Sequence, residues 1–460
     1  MTPIFPDERL GNADRERIAA IEPIATRTYT PTQAVIDRSA GVYFWTTDGR
    51  RLLDFTSGVL VANLGHNPTS WTERFLESLG WNHRSSGSDF ISAVPLTAYN
   101  AITPVERNAT ERLLSYCRNQ PGGSRLHQVQ WAASGSEAVH KAIYTAMHAD
   151  PNRPMVLATR NGFHGKKGLA YAVTGNERDP ERDARVRFIA FPTEESRDVS
   201  LRDRPFDPTR YSQELDHIWS ETDGRIGTLV TEPYLGGGGS YHPPKEYLQL
   251  LQSFCREREI VFILDEVQSN FGRTGMPFAY STYGLEPDLV VLGKGLGNGV
   301  PVAAVVGRSD LFGKLTYGDL SDTWSANPLS SAAVVATLDE FESRDILGPM
   351  RAVSHRIEAD LVSLKKFPFV AHVRGERDGM VWGVECQPWN GKSAREWAIE
   401  FVKACYRGDG RDGVHFLGPL AGTVVRIAPP LIINSNEAAL AMGIVREALS
   451  RLVSVSSHHE

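Results

Sequence analysis

The chain predicts an open α/β sheet with helices on both sides, followed by a C-terminal α/β region, and three observations predict it. Short β-rich runs alternate with helical patterns through the middle of the sequence, which is how a sheet covered by helices on both faces is built. Ile260-Val-Phe-Ile-Leu264 and Leu289-Val-Val-Leu292 are uninterrupted apolar runs, as expected of strands buried on both sides. At 460 residues the chain is about three times the usual domain unit, so two or three domains are expected.

In chain order, the stretch to about Thr30 is polar and reads as an arm. From Gly41 to Phe55, two aromatic and aliphatic runs flank Asp48-Gly49, a hairpin signature. Val129–Ala133 reads as a strand and Glu137–His148 as a helix; Met155–Ala158, Val186–Ala190 and Thr228–Thr231 are further strands. Asn176 to Asp216, charged and proline-containing around Arg178–Arg185, reads as exposed connections about the strand at Val186. Leu329–Asp345 has a helical pattern that would lead into the C-terminal region. That region holds strands at Phe369–Val373, Met380–Val384 and Thr423–Ile427 and a terminal helix from Ser435. The expected division is an arm and hairpin over 1–65 joining the small domain, a large domain over 66–334, and a small domain over 335–460.

Composition excludes several classes of function. With 41% hydrophobic and 23% charged residues the chain reads as globular, and a net charge of −6 with both signs scattered argues against nucleic-acid binding. No apolar window is long enough to span a membrane and the first residues carry no apolar signal segment, so a cytoplasmic protein without membrane contact is expected. Cys117, Cys255, Cys386 and Cys405 are far apart and form no C-x-x-C pair; buried, reduced thiols are expected rather than disulfides or a metal site.

Chemistry is concentrated at strand ends. Asp265 follows one apolar run and Lys294, between Gly293 and Gly295, follows the next. Ligands of open α/β sheets bind at the carboxyl ends of strands, so both groups would face one crevice. A lysine so placed needs a partner, a depressed pKa or a covalent role. Pyridoxal 5'-phosphate (PLP) accounts for all the parts: a lysine for its aldehyde, a carboxylate for its ring nitrogen, and backbone N–H groups at a helix N-terminus for its phosphate. Ser134-Gly135-Ser136-Glu137 runs from a strand into a helix and supplies such a terminus, while also satisfying an ordinary capping box.

These fragments, in order, resemble the class-III (ω-amino-acid type) aminotransferases, of fold type I. The matching pieces are Asp54–Gly58 with Leu64–Pro68, Ser134–Ala138, Phe163-His-Gly165, Glu232-Pro233, Asp265–Gln268 with Phe271–Gly275, Pro287–Leu289 leading to Lys294, Thr323–Pro328, Arg374-Gly375 and Arg426–Leu431. The resemblance implies a large domain with a mainly parallel mixed sheet between helices and a smaller α/β domain. It implies that Lys294 is the Schiff-base lysine and the general base, and that Asp265 is the ring-nitrogen partner. Val267 and Phe163 would cover the two ring faces, and Gln268 would bond the ring hydroxyl. Ser134, Gly135 and Ser136 would serve the phosphate, with Thr323 reaching the phosphate of a neighbouring subunit in a homodimer with shared active sites. Arg426 would clamp a substrate carboxylate and Val59 would line the substrate pocket. His164 and His66 read as orienting groups, and Glu232 as a carboxylate tying down the sheet within the cofactor pocket. No metal is implied.

Two departures stand out. Family members that handle ornithine or 4-aminobutyrate carry a second glutamate where this chain has Gly237 in Gly236–Gly239, which argues against a switch between two kinds of donor. Ala326 stands where glycine is usual. The expected activity is amino transfer from an amino acid or ω-amine donor to a 2-oxo acid by a ping-pong cycle. A decarboxylase or aminomutase of the same family is the alternative; Val59 and Phe163 both depart from the decarboxylase pattern. A nucleotide-binding role for Gly293–Gly299 is disfavoured, because the spacing is wrong and no Ser or Thr follows Lys294. A regulatory cofactor binder is disfavoured because the N-terminal arm leaves no room for a DNA-reading domain.

Overall fold

The computed structural model describes residues 2–26, 30–82, 89–178, 182–419 and 421–456. Parts of the expected arm (residues 1 and 27–29) and of the charged connection (179–181) lie outside the described residues. The chain forms two compact units: residues 1–68, 197–199 and 346–460 make the first, and 69–196 with 200–345 make the second.

The first unit opens with strands β1 (Ile36–Ala40), β2 (Tyr43–Thr46) and β3 (Arg51–Asp54). β2 and β3 pair antiparallel through the turn that contains Asp48-Gly49, and β1 adds to β2. Gly49 takes φ +82°, a conformation glycine adopts without a Cβ penalty.

The second unit carries β4 (Gln128–Ala132), β5 (Met155–Thr159), β6 (Val186–Ile189), β7 (Ile226–Thr231), β8 (Val261–Asp265), β9 (Leu289–Leu292) and β10 (Ala303–Gly307). They form one sheet in the order β4-β10-β9-β8-β7-β5-β6. β5 to β9 pair in parallel, while β10 runs antiparallel to both of its neighbours. Alternate side chains along each strand feed two separate apolar layers, as the pleat requires: Phe262 and Leu264 enter one, Val261 and Ile263 the other. This two-sided burial is the reason these strands read as continuous apolar runs.

Back in the first unit, β11 (Val370–Gly375), β12 (Trp382–Cys386) and β14 (Val424–Ile427) make an antiparallel sheet. β13 (Asp412–His415) pairs in parallel with β3. The helix Ala394–Arg407 starts with a reciprocal capping box between Ser393 and Glu396, and the terminal helix spans Ser435–Ser456.

The structure corrects the expectation of exposed connections from Asn176 to Asp216. A helix, Thr209–Glu221, begins inside that stretch and buries Tyr211, Leu215 and Ile218. Their helical spacing runs on past Asp216 to Ile218, so the charged stretch before 216 shows only part of the apolar period. β1, β10 and β13 were not anticipated. The four cysteines are buried and free.

Candidate active site

Five strand ends of the second unit converge. β4 leads into the helix Gly135–Ala149, β5 into Phe163-His164-Gly165, β7 into Glu232, β8 ends in Asp265, and β9 runs into Lys294. Together these segments line a cavity of about 210 Å³. It brings together Gly135, Ser136, Phe163, His164, Gly165, Glu232, Asp265, Val267, Gln268 and Lys294. Of the residues expected at the cofactor, Ser134 and Thr323 are outside that lining.

Asp265 is 4% exposed and is held by two donors. One oxygen accepts the Val267 amide at 3.0 Å, and the other lies 2.7 Å from His164 Nδ1. Burial lowers the pKa of His164, but the hydrogen bond and charge of Asp265, aided by Glu232, outweigh it and raise the imidazole above its ordinary value. His164 Nε2 is buried and has no hydrogen-bond partner among the described residues. Glu232 is pushed up to about 7, chiefly by burial, with Asp265 adding to the rise and His164 opposing it. Its two oxygens accept the amides of Phe163 at 2.8 Å and Gly236 at 3.2 Å, so it ties two loops to the end of β7.

Lys294 takes φ +45°, a left-handed backbone that costs a residue with a Cβ about 1–2 kcal/mol. Such strain gathers at functional sites. Asn270, not anticipated from the sequence, helps to hold it there. Its buried side-chain amide donates to the carbonyls of Val267 and Gly293, each at 3.1 Å, linking the loop after Asp265 to the residue before Lys294. Thr174 was also missed; its hydroxyl accepts the amides of His164 at 2.8 Å and Gly165 at 3.2 Å. Neither residue has a local signal, because each acts on a distant segment.

At the phosphate end, Ser134 caps its helix by accepting the Glu137 amide at 3.4 Å. Glu137 reaches back to Ala133 N–H at 3.0 Å rather than to the cap residue itself. The amides of Gly135 and Ser136, in the first turn, are not consumed by helical hydrogen bonding. Close approach requires glycine here: a Cβ on Gly165 would stand 2.2 Å from Ser136 Oγ, and one on Gly135 would stand 3.1 Å from Val267 Cγ1. The run from Gly236 packs against two lining residues, Gln268 and Phe163. A Cβ at 236 would meet Gln268 Oε1 at 1.8 Å, and one at 237 would meet Phe163 Cβ at 2.9 Å. Thr323 is exposed, on the segment that precedes the helix Pro328–Ser343.

In the first unit, Ser57–Leu60 is a single left-handed turn, with φ of +48°, +58°, +72° and +60°. Val59 stands on it, 45% exposed. The turn is pinned to the strand that carries Arg426: Ser57 Oγ donates to Ala428 O at 2.7 Å, and the Ala428 amide donates to Phe55 O at 2.8 Å. Arg426 itself is 3% exposed. Beneath the turn, Asp54 lies 2.7 Å from His66 Nε2, a contact within the first unit.

The residues present fit PLP. The cavity offers an amine, a buried carboxylate with a hydrogen-bonded histidine behind it, apolar cover from Val267 and Phe163, and a helix start with unused amides. The glycines whose close approach sets Ser136, Gln268 and Phe163 in the cavity wall leave a cradle that fits such a group.

Comparison with known proteins agrees with this chemistry. The family model described as Aminotransferase class-III matches residues 24–449. An acetylornithine aminotransferase from Bacillus subtilis is 28% identical over 435 residues, covering 94% of this chain and 97% of that protein. One from Haemophilus ducreyi is 29% identical over 431 residues, covering 93% and 96%. Among solved structures, the PLP-bound amine transaminase of an uncultivated Pseudomonas species aligns with a TM-score of 0.77 at 24% identity, covering 94% of this chain and 98% of that one. The ornithine aminotransferase of Toxoplasma gondii aligns with a TM-score of 0.79 at 20% identity, covering 98% and 97%.

Proposed function

Because the chain belongs to the class-III aminotransferase family, PLP-dependent enzymes that transfer amino groups, we propose that it takes the amino group from an amino acid or ω-amine donor and passes it to a 2-oxo acid in a ping-pong cycle. The observation that carries this reading is the meeting of Lys294, Asp265 and the Gly135–Ser136 helix start in one cavity. When bound, PLP supplies an electron sink for the carbon that bears the reacting amine.

The chain's own groups do the rest. Lys294 would hold the cofactor through its amine, and that amine, when free, would move the proton at the donor's reacting carbon. Asp265 keeps the ring nitrogen protonated, and His164 fixes the orientation and charge of Asp265. Gly135 and Ser136 bind the phosphate, Val267 and Phe163 hold the ring between them, and Gln268 takes the ring hydroxyl. Glu232 keeps the loops of Phe163 and Gly236 in place. Arg426 anchors the acceptor carboxylate by paired charge-assisted hydrogen bonds, and Val59 shapes the donor pocket. Thr323 completes the phosphate site of a second copy, which makes the working unit a homodimer with shared active sites. Supporting this, Phe90, Leu96, Tyr99, Ile102, Tyr317 and Trp324 are large, apolar and more than half exposed. Tyr99 bonds Ser321 at 3.2 Å and Asn327 bonds Leu96 O at 2.7 Å, so the two segments stand side by side. Among the described residues no helix is long and apolar enough to cross a membrane, and a cytoplasmic location is proposed.

The name shared by the relatives puts N-acetylornithine first among donors to test, with pyruvate and 2-oxoglutarate as acceptors. Gly237 argues against ornithine and 4-aminobutyrate. The purified enzyme should show a visible cofactor band that a donor removes and a 2-oxo acid restores. A band that no donor alters would overturn amino transfer. Lys294→Ala should lose at least about 10²-fold in turnover while still retaining cofactor non-covalently; full activity in that variant would refute its role.

A further inference from the structure

Lys141 is 4% exposed, and a buried ammonium requires partners. It stands on the helix Gly135–Ala149 and donates to Trp131 O at 2.9 Å, to the Asp322 carboxylate at 2.6 Å and to Ser325 Oγ at 3.0 Å; Glu137 lies 3.4 Å away. Asp322 in turn organises the backbone after it. One of its oxygens accepts the amides of Trp324 at 2.9 Å and Ser325 at 2.7 Å, and the other takes Lys141 and the Ser325 hydroxyl. Ser325 Oγ is also 2.9 Å from Trp131 O, at the end of β4. Thr323 lies inside this clamp, exposed, with both flanks held. The segment closes at Ala326 with φ +57°, a conformation that local preference opposes. The turn that Asp322 makes with the next three residues, anchored from outside by Lys141, holds the shape.

We propose that Lys141 is a positioning residue for cofactor binding. Through Asp322 it fixes Thr323 to the helix whose first turn, Gly135 and Ser136, receives this chain's own phosphate. The proposal rests on the reading that Thr323 reaches the phosphate held by a neighbouring copy. One buried lysine then joins two phosphate contacts, one made within its own chain and one presented across the dimer.

The test uses the full-length enzyme, stripped of cofactor and titrated with PLP, with affinity read from the visible band and fold from circular dichroism. Lys141→Met and Asp322→Asn should each weaken PLP binding on the order of ten-fold, with kcat at saturating cofactor changed less than affinity. Thr323→Ala should weaken binding similarly, and Lys141→Met combined with Thr323→Ala should be no weaker than the weaker single variant. Parental affinity in Lys141→Met and Asp322→Asn overturns the proposal, as do additive losses in the combined variant, which would place Lys141 on a route that bypasses Thr323. Thr323→Ala with parental affinity overturns instead the reading of Thr323 itself. Should Lys141→Met fail to fold, Asp322→Asn, at a partly exposed position, decides the question alone.

Discussion

At the scale of single residues, backbone strain and buried charge mark the chemistry. Val59 is β-branched and holds φ +72°, where such a residue is an outlier. Relief of that strain by Val59→Gly should raise stability by about 1 kcal/mol, seen as a higher denaturant midpoint at unchanged slope. A lower midpoint would mean that the isopropyl group makes contacts worth more than the strain. His164 and Glu232 set a pH dependence. Both have raised pKa values in the folded protein, so each contributes stability in full below its unfolded value, near 6.5 for the histidine and 4.5 for the glutamate. Those contributions are lost as pH climbs through the raised values. Cofactor-free enzyme should therefore lose stability as pH rises from about 4.5 through 7, where Glu232 titrates, and onward as His164 loses its proton. His164→Asn should flatten the upper part of that decline in a melting-temperature profile. An unchanged profile would show that the pair does not titrate together.

At the scale of elements, the glycine run from 236 brings backbone into close approach with Gln268 and Phe163, two residues that line the site. Gly237 has room for no side chain, since its Cβ would stand 2.9 Å from Phe163 Cβ, and Phe163 is tethered through its amide to Glu232. Gly237→Ala should cost about 1–3 kcal/mol through overpacking and weaken PLP binding by displacing Phe163. Thermal unfolding and a PLP titration check both; a variant that matches the parent in each would show that Phe163 yields freely. The elements legible in the sequence were those with a strong local period. The runs at Ile260 and Leu289 became β8 and β9 because two-sided burial imposes continuous apolarity. β13 was not legible because its partner β3 is remote in sequence and pairing leaves little local trace. β10 was not legible because it is a short run of small and β-branched residues just after the glycine-rich stretch Gly293–Gly299, whose turn composition masks it.

At the scale of the whole molecule, the second unit exposes large apolar side chains, among them Phe90 and Ile102, each 84% exposed, and exposed apolar surface of this kind marks association sites. Phe90→Glu with Ile102→Glu should turn the proposed dimer into a folded monomer with little activity, as read by sedimentation and circular dichroism. A variant that sediments as the parent does would remove this surface as the interface. The buried state of all four cysteines leaves no exposed thiol to cross-link copies.

The sequence by itself determined the α/β class, the parallel strands of the large sheet and the cofactor. Each of these rests on local pattern, an apolar period or a short motif at a strand end, and local pattern is set by neighbours in the chain. Only the tertiary structure decided the left-handed turn under Val59, the staple made by Asn270, the pairing of His164 with Asp265, and the burial of Lys141 against Asp322. The last two join residues 101 and 181 positions apart. Electrostatic and packing partners are chosen by proximity in space after the strands have stacked, and no period in the sequence records that proximity.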